Sequence, residues 1–332
     1  MNNHHPDTRK LVDTYLLPEP ITVTELDQDV YAVRTADASK RMFVLKVHQQ
    51  GDEALMQERY VHWLLLSLSD QTFSFDLPFP VRNREGATFL PVDDVVWVLA
   101  PHLTGQRMQP NDPDQAYAVG EALAELHQGL AKVQPHVRPD FPEYNMYRRT
   151  LLHLRGTLPT VPGALGLQET PEGWHRLRRF MMLAKQFQVA PPVPDENLHW
   201  HIVHGDFFGA NLLYNGERVS GVLDFKFARP DYRVREFAET LLRVANDFGP
   251  LFWGTARSFV EGYAQHVNLT RAEIELAPRF MVEFQVDQVL FYATAEPARA
   301  ATALRIQEDI SSWLEVEVLR LEAMMRGVFL GE

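Results

Sequence analysis

The sequence predicts an α+β protein in two lobes, a small antiparallel-sheet lobe with one helix and a larger, mainly helical lobe. Three features predict it: short β-branched runs before residue 100, a switch to helical apolar spacing after residue 112, and a nearly all-helical stretch over 232–326. The 332 residues provide for two units. They divide into a small N-terminal lobe at 1–100, a hinge at 101–105 and a helical lobe at 106–332.

In the first lobe, residues 21–26 and 30–35 are strand-like and flank Asp27-Gln28-Asp29, which suits a hairpin turn. Residues 41–48 (RMFVLKVH) alternate, with Phe43, Leu45 and Val47 on one face. Over 52–68, Leu55, Met56, Tyr60, Trp63 and Leu64 fall at helical spacings, with Gly51 or Asp52 as cap. Residues 87–92 and 95–100 predict a second hairpin across Asp93-Asp94. The next run, 113–133, lines one helix side with Ala118, Val119, Ala122, Leu123, Leu126 and Leu130. Helices are also expected at 142–155 and 171–188, followed by a Pro-rich connector at 190–197. A short β insert at 202–225 turns at Asn215-Gly216, and the final helices break near Gly249-Pro250, Asn268 and Glu296-Pro297.

Composition narrows the function. With 44 acidic and 32 basic side chains, the net charge is −12, and no basic stripe points to nucleic acid. There is no cysteine, so disulfides, thiolate metal sites and a Cys nucleophile are excluded. The first ten residues are polar without a signal-peptide core, and no apolar run reaches membrane length. The expectation is a cytoplasmic protein without membrane or nucleic-acid partners, monomeric or homodimeric.

The chemistry concentrates in residues 202–225, IVHGDFFGANLLYNGERVSGVLDF. His204, Asp206 and Asn211 form H-x-D-x-x-x-x-N, and Asp224 ends an apolar strand. An Asp on a loop after a strand can orient a hydroxyl and accept its proton. An Asn a few residues later can turn back to share a cation with a second carboxylate. Oxygen donors of this kind suit Mg²⁺, which takes its remaining ligands from water and phosphate. Protein kinases place a base Asp, a metal Asn and a D-F-G Asp in this relation.

Residues 202–225 resemble the catalytic segment of the aminoglycoside phosphotransferase group, which includes choline kinases and type II homoserine kinases. The resemblance extends diffusely over most of the chain. Phe43–Val47 resembles the strand with the phosphate-binding lysine, here Lys46, and Glu58 matches the helix glutamate that pairs with it. Residues 97–105 (WVLAPHLTG) resemble the hinge, and 119–127 (VGEALAELH) the first long helix of the large lobe. Singly, each piece has a structural reading: Lys46 a solvated strand residue, Glu58 a polar helix face, His204 a hydrogen-bonded structural histidine. Their succession along the chain favours the kinase reading.

The resemblance implies a protein-kinase-like fold and ATP- and Mg²⁺-dependent transfer to a small-molecule hydroxyl. Asp206 would be the base, Asn211 and Asp224 the metal ligands, and Lys46 the phosphate contact held by Glu58. Pro101 lacks an N–H, so the Ala100 carbonyl and the His102 N–H are expected to read adenine. Only seven residues separate Asp224 from the next helix, which leaves no room for an activation segment and points to a small acceptor. Glu239, Glu283, Asp287 and the aromatic stretch 144–149 are further candidate acceptor-side positions, but amphipathic helices carry such residues routinely and surface or packing roles are the better reading for all of them.

Three departures stand out. The Asp27-Gln28-Asp29 turn lacks glycine, so these carboxylates must face away from a triphosphate or nucleotide affinity is modest. Lys226 follows the metal aspartate, and Glu236 occupies a place where relatives carry Asp. Two other readings remain open: a non-catalytic nucleotide-binding module, and a zinc hydrolase using the His199-Trp200-His201 pair.

Overall fold

The structure is a computed structural model that describes residues 7–36, 41–49, 51, 53–107, 112–134, 158–187, 197–245 and 252–332. The helix expected at 142–155, the stretch 144–149 and most of the 190–197 connector lie outside the described residues.

Alternating side chains build the small lobe. Strands β1 (Ile21–Asp27), β2 (Val30–Thr35), β3 (Met42–Gln49), β4 (Leu90–Val92) and β5 (Val95–Pro101) form one antiparallel sheet, in the order β1-β2-β3-β5-β4. Phe43, Leu45 and Val47 face a core with Tyr31, Val33, Trp97 and Leu99. That core is closed by a helix the sequence pattern did not reveal, α1 (Thr8–Tyr15), which buries Leu11 and Tyr15. Asp7 caps it by accepting the Arg9 and Lys10 N–H groups. Helix α2 (Glu53–Leu68) follows β3.

Strand β4 starts at Leu90 rather than at residue 87. The Asn83 side chain accepts the N–H groups of Glu85 and Ala87, which fixes the preceding residues in a local loop instead of the ladder.

The large lobe packs α3 (Pro113–Leu130), α4 (Pro171–Gln186), α5 (Arg233–Ala245), α6 (Trp253–Tyr263), α7 (Arg271–Ala295) and α8 (Pro297–Leu330). Its core joins Leu123 and Leu126 of α3, Phe237 and Leu241 of α5, Phe259 and Tyr263 of α6, and Phe280 of α7. Thr270 and Glu273 close a capping box at the start of α7. Glu273 also accepts two bonds from Arg233, at 2.8 and 2.7 Å, which fixes α5 to α7.

The β insert makes two ribbons, β7 (Leu212–Asn215) with β8 (Arg218–Val222), and β6 (Trp200–Val203) with β9 (Arg229–Tyr232). Strand β9 lies where the sequence suggested only a short connection. Its pairing with β6 brings the chain from Asp224 back under the loop that follows β6. No helix of the described residues is long and apolar enough to cross a membrane.

Candidate active site

The loop between β6 and β7 carries His204, Asp206 and Asn211. Its first turn needs glycine: Gly205 has φ +84°, and a Cβ there would meet the Phe227 carbonyl at 2.1 Å. His204 is structural. Its Nε2 donates to the Leu223 carbonyl (2.9 Å), while its Nδ1 accepts the Asp206 N–H (3.2 Å), which sets one neutral tautomer. Asn211 Nδ2 donates to the Asp206 carbonyl (3.0 Å) and to Asp206 Oδ2 (2.8 Å). Both partners are acceptors only, so the amide orientation is fixed and Asn211 Oδ1 is turned away from them. The Leu223 N–H reaches the Asn211 carbonyl at 2.8 Å, which brings the β8 end and Asp224 alongside Asn211.

Asp224 adopts the left-handed conformation (φ 61°, ψ 67°), uncommon for a residue with a Cβ. Its Oδ2 pairs with Lys226 Nζ at 2.7 Å. Oxygen donors on Asn211 and Asp224 fit a hard cation that completes its shell with phosphate and water. Among the described residues no three His, Asp or Glu side chains cluster as a metal cage.

Lys46 on β3 meets Glu58 on α2 at 2.6 Å. The neighbouring α2 residue, Gln57, donates to the Lys226 carbonyl across the lobe boundary. One turn of α2 therefore holds both the small-lobe lysine and the backbone just beyond Asp224. His62, one turn further on, is kept neutral by burial, which lowers it to about 4 against the opposing pull of Glu58.

Strand register corrects the adenine expectation. Val44 lies opposite Ala100 and Phe43 opposite Pro101, and the His102 N–H donates to the Met42 carbonyl at 2.9 Å. Hydrogen-bonded pairs alternate along an antiparallel ladder, so Ala100 and His102 direct their backbone groups to β3. The expected Ala100 carbonyl and His102 N–H are thus committed within the sheet. The opposite parity, Pro101 and Leu103, faces away from β3.

The departures acquire locations. Asp27 accepts the Gln28 N–H at 2.7 Å, so this carboxylate closes its own turn. Glu236, only 1% exposed, accepts the His204 N–H (2.9 Å), the Gly205 N–H and His127 Nε2 (2.9 Å). Burial alone would raise its carboxyl; the bonds to His127 and the loop hold it below the usual carboxylate range. The longer stem therefore still supports the Asp206 loop from beneath.

The His199–His201 pair does not converge. His201 Nδ1 is bonded to the Ile202 carbonyl (2.6 Å), whereas His199 Nδ1 faces Glu273 (3.2 Å). Burial, reinforced by His127, lowers His201 to about 4.

One residue without a motif signal enters the site. Arg243, near the end of α5, pairs its Nη1 with Asp206 Oδ1 at 2.5 Å. Its guanidinium lies 4.4 Å over Phe208 and 5.7 Å from Phe284. Glu283 is engaged by Arg235 at 3.1 Å, and Arg235 also reaches Asp231 at 3.2 Å.

The profile of the phosphotransferase enzyme family matches residues 22–274. A homoserine kinase of Rhodopseudomonas palustris (strain BisB18) is 26% identical over 289 residues, covering 82% of this chain and 83% of the relative. One from Parvibaculum lavamentivorans is 24% identical over 250 residues, covering 71% and 73%. Among solved structures, the amicoumacin kinase hAmiN, in complex with AMP-PNP, Ca²⁺ and Ami, superposes with a TM-score of 0.66 at 16% identity over 92% of both chains. A microcompartment-associated aminopropanol kinase gives 0.56 at 16% identity, covering 95% of this chain and 97% of that one. With its five-stranded small lobe and helical large lobe, the chain belongs to the phosphotransferase enzyme family and has the protein-kinase-like fold of its small-molecule kinases.

Proposed function

We propose that the protein transfers the γ-phosphoryl group of ATP, with Mg²⁺, to the hydroxyl of a small amine-bearing alcohol. The observation that carries this reading is the double grip of α2, with Glu58 on Lys46 and Gln57 on the backbone beside Asp224. It supports a reading in which Lys46 of the small lobe and Asp224 of the large lobe act on one nucleotide.

In this reading Lys46 contacts the α- and β-phosphates, and Glu58 orients its ammonium. The Pro101 carbonyl and the Leu103 N–H, on the outward parity of the hinge, meet the adenine edge. Asn211 and Asp224 hold the Mg²⁺, which when bound neutralises charge on the phosphates. Asp206 aligns the acceptor hydroxyl. The oxygen attacks the γ-phosphorus, the bond to the β–γ bridging oxygen breaks to release ADP, and the hydroxyl proton passes to Asp206. Positioning carries most of the rate, because a loose phosphoryl-transfer transition state requires little of a base. The names of the homoserine and aminopropanol kinases support an amino-alcohol acceptor class.

The test is Mg·ATP-dependent phosphorylation of a panel of amino alcohols, aminoglycosides and homoserine, followed by mass spectrometry. A phosphorylated acceptor is expected, and none across the panel contradicts the reading. The Lys226–Asp224 ion pair favours a second reading, a module that binds nucleotide without turnover. Nucleotide-dependent thermal stabilisation without transfer in the same panel would select it.

A further inference from the structure

Asp206 and Asp224 are each paired with a cation, Arg243 and Lys226 respectively. The second pair stands on a fixed root. After the left-handed Asp224, residues Phe225–Phe227 make one short 3₁₀ turn, anchored by the buried Phe225 side chain. The Ala228 N–H donates back to the Phe225 carbonyl at 3.0 Å. Gln57 of α2 donates to the Lys226 carbonyl from across the lobe boundary. The Lys226 backbone is therefore held from two sides. Its side chain is free to move: it is 49% exposed, and its ammonium is a hydrated point charge on a flexible stem.

That ammonium is nevertheless drawn to the turn. Nζ lies 2.7 Å from Asp224 Oδ2 and 5.1 Å from the centre of the Phe227 ring, whose face also attracts a cation. A solvent-exposed pair of this kind contributes little stability and exchanges partners at small cost. Asp224 can therefore give up the ammonium to a divalent ion, which binds through one or two carboxylates, phosphate and water. The released ammonium then needs another anion within reach of its root. Two hydrogen bonds show which end of a nucleotide supplies it. The Leu223 N–H meets the Asn211 carbonyl at 2.8 Å, and Asn211 Nδ2 meets Asp206 Oδ2 at 2.8 Å. Asp224 thus belongs to the side of Asp206, where the acceptor hydroxyl meets the γ-phosphorus in the proposed reaction. Lys46, held by Glu58 on the other lobe, serves the α- and β-phosphates.

We propose that Lys226 is a second phosphate-binding lysine, which neutralises Asp224 before nucleotide binds and contacts the γ-phosphate once nucleotide and metal are in place. The inference rests on the kinase reading and adds to its site a residue that tells ATP from ADP. It gives the Lys226–Asp224 pair a use within turnover rather than as a block to it.

The test is calorimetry on the full-length protein with Mg²⁺ and either ADP or a non-hydrolysable ATP analogue. At saturating Mg²⁺, Lys226→Met should weaken the analogue by about 10- to 100-fold, the range of a hydrogen bond to a charged group, and ADP by less than about threefold. Lys226→Arg should restore most of the difference. The Mg²⁺ concentration that gives half-maximal ADP binding should fall in Lys226→Met, because no ammonium competes for Asp224. Equal loss for both nucleotides, or no loss for either, overturns the assignment, and so does a Mg²⁺ requirement that does not fall. In each of those cases the wild type still binds nucleotide with Mg²⁺, and the kinase reading stands. A wild type that binds neither nucleotide overturns that reading and the inference together.

Discussion

Asp206 is held on both sides, Asn211 on one carboxylate oxygen and Arg243 on the other. An acceptor hydroxyl therefore meets a carboxylate whose orientation is already set. Asp206→Asn keeps the shape and removes the proton acceptor, and kcat should fall by about 10²–10⁴ with little change in the KM for ATP. Steady-state kinetics check this, and a loss under tenfold would remove Asp206 from proton transfer. Asp224→Ala should abolish the Mg²⁺-dependent part of ATP affinity in calorimetry; unchanged affinity would place the metal elsewhere. Glu239 makes a stability prediction of opposite sign. Its folded pKa of about 8 lies above its unfolded value, so it disfavours folding as pH rises from the ordinary carboxylate range towards 8. Glu239→Gln should therefore stabilise the protein by roughly 4 kcal/mol at pH 8 and by almost nothing at pH 4. Denaturant unfolding at the two pH values decides it, and no gain at pH 8 means the carboxyl is not forced to keep its proton.

At the scale of elements, the loop between β6 and β7 rests on α5 through Glu236. Glu236→Ala would leave the His204 and Gly205 N–H groups and His127 without their acceptor, at a cost of about 3–5 kcal/mol. Chemical denaturation measures this, and a cost below about 1 kcal/mol would show that water replaces the carboxylate. Acid should weaken the same region. Glu236 titrates below its unfolded value, so its contribution disappears as pH falls through the folded pKa. His62 and His201, lowered to about 4, stay neutral in the fold while the unfolded chain protonates, so stability declines from about pH 6.5 towards 4. The candidate loop was legible in the sequence because His204, Asp206 and Asn211 are close along the chain and meet within one turn. The strands and the amphipathic helices were legible for the same local reason. Arg243 and Gln57 were not, since a helix residue reaching a distant loop leaves no periodic trace. The adenine edge was misread because strand parity depends on pairing register, where one residue exchanges inward for outward. Helix α1 escaped notice because it buries only Leu11 and Tyr15.

At the scale of the molecule, α2 joins the core of the large lobe through Tyr60, Val61, Leu64, Leu65 and Leu68, and a nucleotide contacting Lys46 on one lobe and Asp224 on the other would bridge them further. A ligand that binds only the folded state stabilises it by about 2.7 kcal/mol at a hundredfold excess over Kd. Mg·ATP should accordingly raise Tm by several degrees, and Asp224→Ala should remove the Mg²⁺-dependent part of that rise. The antiparallel small lobe and the helical large lobe follow from the change in apolar period near residue 112, which is why the architecture could be expected before any coordinates. The acceptor could not, because no local motif in the sequence specifies it. The most direct measurement is transfer itself: γ-labelled ATP, Mg²⁺ and the panel of amino alcohols, aminoglycosides and homoserine with the wild type and Asp206→Asn. A labelled phosphorylated acceptor from the wild type alone is the predicted result. No labelled product from the wild type, or equal turnover by Asp206→Asn, would contradict it.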